Sequence, residues 1–167
     1  EARQALHKFS DMLRYQLYEM NGNQVAIEQE IQYLQDYIDL QKLRKDDQYH
    51  IEFNCTPDVK GFLIEPLLLI PFVENAFKHI SHHKNELNFI KMQLSMNKGE
   101  FNFSIENSKE AGQGLLLHTE KVTEQHSGIG LANVKRRLAL LYPQKHSLKI
   151  TDGIDIFSVK LELKIIN

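Results

Sequence analysis

The stretch Pro66-Leu67-Leu68-Leu69-Ile70-Pro71-Phe72-Val73-Glu74-Asn75-Ala76-Phe77-Lys78-His79 constrains this chain more than any other. It is apolar almost throughout and has to be buried, yet Glu74, Asn75, Lys78 and His79 enter it together. With about 100° between successive helical residues, those four fall within roughly 140° on one side, while Leu69, Val73, Ala76, Phe77 and Ile80 stay on the core side. Pro66 suits the first turn, and Pro71 either lies early in the helix or kinks it. A polar edge on so apolar a helix faces a ligand. The competing reading is a Glu74–Lys78 surface pair at i, i+4, which rarely interrupts a run of this kind.

The hydrophobic period opens helical and changes near Asp46. Leu6, Phe9, Leu13, Leu17 and Met20 recur at intervals of three and four, which predicts an amphipathic helix over 3–20, stopped by Asn21-Gly22-Asn23. Ile31, Leu34, Ile38 and Leu40, widened by Tyr33 and Tyr37, predict a second helix over 27–45. The two form a hairpin too apolar to stand alone, so it packs on the rest of the chain or on a second copy. From Tyr49 the pattern alternates, with Ile51 and Phe53 against His50 and Glu52, so the domain boundary falls near Asp46. This divides the chain into a hairpin over 1–46 and a second domain over 47–167. Beyond the polar-edged helix come strands over 87–96 and 101–106 joined across Asn97-Lys98-Gly99-Glu100. A helix over 131–141 follows, and two closing strands, 148–151 and 156–166, meet at Asp152-Gly153.

The counterpart of the polar edge lies about fifty residues on. Gly128-Ile129-Gly130-Leu131-Ala132-Asn133 is a glycine turn opening an amphipathic helix, able to present backbone N–H groups to phosphate. It follows a polar segment, 108–127, of the length that lids and binding loops have. Together the two elements suggest a magnesium nucleotide site. Asn75 offers an amide oxygen to the cation, Glu74 a carboxylate to orient or deprotonate an attacking group, and Lys78 a point charge to phosphate, with His79 beside them.

Other chemistries are disfavoured. Asn133 stands where the third glycine of a dinucleotide fold belongs, and no G-x-x-x-x-G-K-[ST] run exists. His79, His82 and His83 have ligand-like spacing but no acidic or thiol partner nearby in sequence. A formal net charge of −2 gives no general pull toward nucleic acid, and Lys135-Arg136-Arg137 reads as a solvated helix face. Cys55, the only cysteine, excludes an intrachain disulfide and is expected simply to pack. The run from Pro66 to Val73 is less than half of the roughly 20 residues a membrane helix needs. A chain that starts at Glu1, within a helical pattern, reads as part of a longer protein.

Glu74-Asn75-Ala76-Phe77-Lys78-His79 resembles the N box, and Gly128-Ile129-Gly130-Leu131-Ala132-Asn133 the second glycine box, of the Bergerat-type ATPases, a superfamily that includes sensor histidine kinases, Hsp90, gyrase and MutL. Leu13-Arg14-Tyr15, Glu30-Ile31-Gln32-Tyr33-Leu34, Tyr37-Ile38, Gln41-Lys42-Leu43-Arg44 and Asn133-Val134-Lys135-Arg136-Arg137-Leu138 resemble the LytS/YehU branch of histidine kinases. The resemblance covers essentially the whole chain. It implies an α+β fold, a two-layer α/β sandwich with a mixed sheet, preceded by the hairpin that remains of a dimerisation module. In it Asn75 binds Mg2+, Glu74 assists phosphoryl transfer, and Lys78, His79, Gly128, Gly130 and Leu131 contact ATP beneath a flexible lid.

The chain departs from the branch in two places. No His-Phe-Leu-Phe-Asn-like phosphoacceptor motif precedes Leu13-Arg14-Tyr15, and the neighbours of His7 do not match one, so the fragment is not expected to phosphorylate itself. Where the superfamily reads adenine with an Asp-x-Gly-x-Gly box, this chain has Glu106-Asn107-Ser108-Lys109, and Asn107 takes the aspartate's place. Replacing a charge-assisted bond of about 1.5–3 kcal/mol by a neutral one of about 0.5–1.5 weakens binding roughly tenfold.

The resemblance implies transfer of the ATP γ-phosphoryl to a histidine upstream and thence to a response regulator of the LytTR type. It also implies a homodimer in the intact protein and a cytoplasmic portion of an inner-membrane protein, joined to the membrane only through other segments, with no direct nucleic-acid contact. Two alternatives stay open: a degenerate, non-catalytic dimerising module, and another Bergerat-fold ATPase.

Overall fold

A computed structural model describes residues 2–18, 24–45, 48–84, 86–110 and 129–165. The expected stop at Asn21-Gly22-Asn23 and residues 111–128, which include Gly128 and most of the expected lid, lie outside them. The elements run α1 (Ala2–Tyr18), β1 (Val25–Ala26), α2 (Ile27–Lys42), β2 (Tyr49–Cys55), β3 (Leu63–Ile64), α3 (Ile70–His79), β4 (Asn88–Asn97), β5 (Glu100–Ser108), α4 (Ile129–Leu141), β6 (His146–Asp152) and β7 (Ile156–Lys164).

Five strands form one mixed sheet in the order β2-β4-β5-β7-β6. The last four pair antiparallel, and β2 lies parallel to β4, with Ile51 opposite Ile90. A parallel neighbour requires a crossover, and α3 lies within it. Strand alternation divides the sheet cleanly: Ile90, Met92 and Leu94, Phe101, Phe103 and Ile105, and Val159, Leu161 and Leu163 are buried. The residues between them, such as Lys91, Gln93, Lys160 and Glu162, are exposed. The helices complete the second layer through Leu34 and Ile38 of α2, Phe72, Val73 and Ala76 of α3, and Val134 and Leu138 of α4, all buried. Phe72 meets Phe103 at a ring separation of 5.9 Å. This is the two-layer α+β sandwich expected from the resemblance.

At the β4–β5 hairpin, Lys98 and Gly99 both have positive φ, 49° and 79°. Such a two-residue turn matches the right-handed twist of the strands it joins, and only glycine adopts that backbone freely.

The helical pair is antiparallel: Lys8 is bonded to Asp39 and lies 3.6 Å from Asp36, while the Tyr15 hydroxyl reaches Glu30. One feature differs from expectation. The face of α1 turned to α2 carries buried Met12, half-buried Tyr15 and the Lys8 ion pair, so the row Leu6, Phe9, Leu13 and Leu17 points outward, with Leu17 74% exposed. Helix α2 packs on the rest of the chain, with Ile27, Leu34 and Ile38 completely buried in the common core.

The polar-edged helix begins later than Pro66 suggests. Strand β3 and an irregular segment precede it, α3 starts at Ile70, and Pro71 sits in its first turn without kinking it. Pro71 is tolerated there because its missing N–H has no intrahelical partner to lose.

Candidate functional site

Helix α3 presents its residues as its periodicity demands. Leu69, Val73, Ala76, Phe77 and Ile80 are buried, Asn75 and His79 half-buried, and Glu74 and Lys78 exposed. Glu74 and Lys78, one turn apart, border a cleft of about 300 Å³ whose other wall is the end of α2, Tyr37 and Gln41, and the turn after it, Arg44 and Lys45. Tyr37 closes the cleft floor by meeting Phe77 edge-on, ring centroids 5.8 Å apart.

Partial burial raises the Glu74 carboxyl above the ordinary carboxylate range. Burial, and then the Glu74 charge, push the Tyr37 hydroxyl up to about 12. A carboxylate made more basic, beside Arg44 and Lys78, is suited to take a proton from a group that attacks phosphate.

Asn75 and His79 lie on the other flank of the edge. Among the described residues the Asn75 amide has no side-chain hydrogen bond. The His79 ring is held below its ordinary pKa, by burial first and by the adjacent Lys78 second, and so favours the neutral form. Its carbonyl, at the C-terminus of α3, accepts a long 3.5 Å bond from the Asn107 amide.

Asn107 belongs to the inward row of β5 with Phe103 and Ile105 and is buried. Its donor end is committed to the carbonyls of His79 and Ser108, so the amide oxygen is the end suited to an exocyclic amine. A polar knot fixes this corner. The Ser81 hydroxyl lies 2.7 Å from both the Asn88 amide oxygen and the Ser108 hydroxyl, the Ser81 N–H donates to the Ser108 carbonyl, and Asn88 holds both polar groups of the His83 backbone. The end of α3, the start of β4 and the end of β5 are thereby tied together.

Helix α4 packs beside α3. Leu131 is partly buried against the core, whereas Gly130 is exposed, and a Cβ built on it would meet nothing within 4 Å. Glycine is therefore not demanded there by protein packing. Gly128 lies outside the described residues.

Three expectations need correction. Ile80 leaves the helix with ψ 141°, so His79, His82 and His83 do not share a helical face; instead His82 meets the Tyr49 hydroxyl and His83 lies 3.5 Å from Glu110. Arg137 is not simply solvated, because its guanidinium donates to the carbonyls of Pro66 and Leu67 at 3.0 Å each. Cys55 is exposed on β2, which forms an edge of the sheet.

Reasoning from sequence assigned no role to Tyr37, Gln41 and Arg44, since nothing local shows that the end of α2 faces α3. Glu30 does carry a local signal: a carboxylate spaced three and four residues from Ile27 and Leu34 on an apolar face.

A family model described as histidine kinase matches residues 1–49. The sensor protein LytS of Streptococcus mutans is 32% identical over 149 residues, 85% of this chain and 25% of that relative. LytS of Staphylococcus haemolyticus is 28% identical over 155 residues, 89% of this chain and 26% of the relative. The chain thus spans about a quarter of the length of these relatives.

Among solved structures, the Acinetobacter baumannii histidine kinase AdeS aligns over 97% of this chain and 77% of its own with a TM-score of 0.59 at 12% identity. The catalytic domain of histidine kinase ThkA aligns over 87% and 98% with 0.55 at 15%. Full-length ShkA, solved in complex with AMPPNP, aligns over 96% and 35% with 0.60 at 13%. These structures share the fold, and these LytS proteins are similar in sequence over 85–89% of the chain.

Proposed function

Taking this kinship with the LytS sensor histidine kinases as premise, we propose that the chain is the Mg·ATP-binding catalytic region of such a kinase. The observation that carries the reading is the Asn75 amide: half-buried, without a side-chain partner among the described residues, on a helix packed beside the one that Gly130 opens. No buried side-chain nitrogen or oxygen among the described residues lacks a partner, so this amide reaches solvent, and an accessible amide oxygen on that edge is a ligand that fits a hard cation.

Asn75 holds Mg2+, which supplies charge neutralisation to the phosphates when bound. The open space over Gly130 admits phosphate close to the backbone N–H groups at the start of α4, with Gly128 and Leu131 flanking. Asn107 accepts from the adenine amino group, and His79 and Lys78 line the approach. Glu74 takes the proton of the attacking imidazole, and Arg44 with Lys78 offset the charge of the moving phosphoryl group.

In the intact protein the acceptor is a histidine upstream, and the phosphoryl then passes to an aspartate of a response regulator of the LytTR type. Residues 1–46 are what remains of the dimerisation module, and the outward row Leu6, Phe9, Leu13 and Leu17 supports pairing with a second copy. The catalytic region faces the cytoplasm, and membrane attachment belongs to other segments; no described helix is long and apolar enough to cross a membrane.

Thermal unfolding with and without Mg·ATP tests this. At a hundred times Kd the nucleotide stabilises the wild type by about 2.7 kcal/mol, and Asn75→Ala loses that increment. The second reading, a non-catalytic dimerising module, is favoured by Asn107 in place of a carboxylate. No stabilisation at millimolar ATP, with dimerisation intact, selects it.

A further inference from the structure

The segment between β3 and α3 is gripped from three sides. Leu67 has φ 55°, a left-handed conformation costly for a branched side chain. Its N–H donates to Glu30 Oε2 at 3.0 Å, and the Leu69 N–H donates to Glu30 Oε1 at 3.1 Å. On the carbonyl side, Arg137 of α4 holds Pro66 and Leu67 with both guanidinium arms. Glu30 is fully buried, and its Oε2 also accepts the Tyr15 hydroxyl of α1 at 2.8 Å. Leu69, at the N-terminus of α3, has no capping side chain of its own, so a carboxylate from α2 satisfies N–H groups that would otherwise be orphaned. One carboxylate therefore joins α1, α2 and the root of the helix that carries Asn75, while the same segment is tied to the helix that Gly130 opens.

We propose that Glu30 and Arg137 are positioning residues for the nucleotide site, and that through the Tyr15–Glu30 bond the docking of α1 sets its affinity for Mg·ATP. The inference rests on the nucleotide reading above. Removing the Tyr15 hydroxyl leaves Oε2 with fewer donors and loosens the Leu67 segment, so α3 and α4 lose their mutual register. Glu30→Gln sets an amide N–H2 against a backbone donor, and Arg137→Lys cannot reach both carbonyls with a fork. Coupling of this kind is reciprocal: if docked α1 favours nucleotide, nucleotide favours docked α1 by the same factor.

The experiment is calorimetric titration of Mg·ATP into wild type, Tyr15→Phe, Glu30→Gln, Arg137→Lys and Asn75→Ala, paired with amide hydrogen exchange of residues 2–18 with and without nucleotide. Tyr15→Phe is expected to bind about fivefold more weakly, at the low end of usual coupling, and Glu30→Gln and Arg137→Lys more weakly still. Nucleotide is expected to slow exchange in α1 of the wild type and to leave Tyr15→Phe unchanged, an effect that mere support of the fold would not produce. Should Glu30→Gln fail to fold, Tyr15→Phe decides. Wild type that binds Mg·ATP, with Tyr15→Phe at equal affinity or α1 exchange indifferent to nucleotide, overturns the coupling alone. Wild type that does not bind overturns the nucleotide reading and the coupling with it.

Discussion

Replacing Leu34 by alanine tests whether α2 is part of the sandwich or part of a detachable hairpin. Leu34 is completely buried, in a core shared with Ile64, Leu69 and Val73 of the segment leading into α3 and of α3 itself. Truncating such a leucine removes its transfer free energy and leaves a cavity, together worth about 2–5 kcal/mol. A value of about 3 kcal/mol is expected here, because helices packed against a sheet collapse only partly into a void. For a chain of this length that lowers Tm by about 6–12 °C. The control is Leu17→Ala on α1, at a protein concentration that keeps the chain monomeric, where 74% exposure predicts a change within about 0.5 kcal/mol. Urea unfolding followed by far-UV circular dichroism at fixed protein concentration measures both, and an unchanged m-value marks the effect as one on stability. The reasoning fails if Leu34→Ala costs under about 1 kcal/mol. It fails equally if the helical signal melts in a separate early transition while the sheet transition stays put, since residues 1–46 would then be an independent unit.

Lys98→Asn relieves a left-handed residue in the β4–β5 turn and is expected to stabilise by about 0.5–1 kcal/mol in the same urea assay. Gly99→Ala has room for its methyl, 3.7 Å from the Ile165 carbonyl, but not the backbone freedom at φ 79°, and destabilises by about 1 kcal/mol. Burial raises the Glu30 pKa above its unfolded value despite the bonds it accepts, so the folded state holds that proton more tightly. Its contribution is full below the unfolded pKa and is lost as pH rises through the folded one, so the stability of wild type relative to Glu30→Gln should fall over that window in pH-dependent urea melts. Substituting Leu6 and Leu13 together by lysine should leave the Tm of the monomer nearly unchanged, because both are exposed, yet shift any dimer seen by light scattering toward monomer.

Much of the fold was legible because strands and helices write their faces locally. Alternation alone separates Phe101, Phe103 and Ile105 from Asn102 and Ser104, and the same rule carries Asn107 into the buried row. The polar edge of α3 was equally legible, since Glu74, Asn75, Lys78 and His79 differ from their neighbours in kind and the helical period fixes their side. What the stretch could not reveal was where its helix begins. Pro66 is compatible with a first turn, but Leu67 turns left-handed and the amides of Leu67 and Leu69 are claimed by a carboxylate 37 and 39 residues earlier. A long-range acceptor of this kind leaves no trace in the residues around it.

The same non-locality explains why the cleft beside Glu74 was missed while Glu74 itself was found. Its far wall, Tyr37, Gln41 and Arg44, belongs to a helix that periodicity assigns to a hairpin, and periodicity says which face is buried but not against what. Once α2 is seated in the sandwich core through Ile27, Leu34 and Ile38, its C-terminal end and the turn after it lie along α3, and Arg44 comes to line one cleft with Glu74 and Lys78 as a consequence of apolar packing. Affinity and catalysis should accordingly separate by mutation. On the proposed function, Arg44→Ala, which lines the cleft beside Glu74 and Lys78, should leave Mg·ATP affinity within about twofold of wild type yet slow phosphoryl transfer to a supplied acceptor histidine segment by about 10²-fold or more. Equal losses in binding and transfer would place Arg44 at the nucleotide rather than at the phosphoryl group in motion, and the proposed division of the α3 edge into a metal flank and a transfer flank would have to be abandoned.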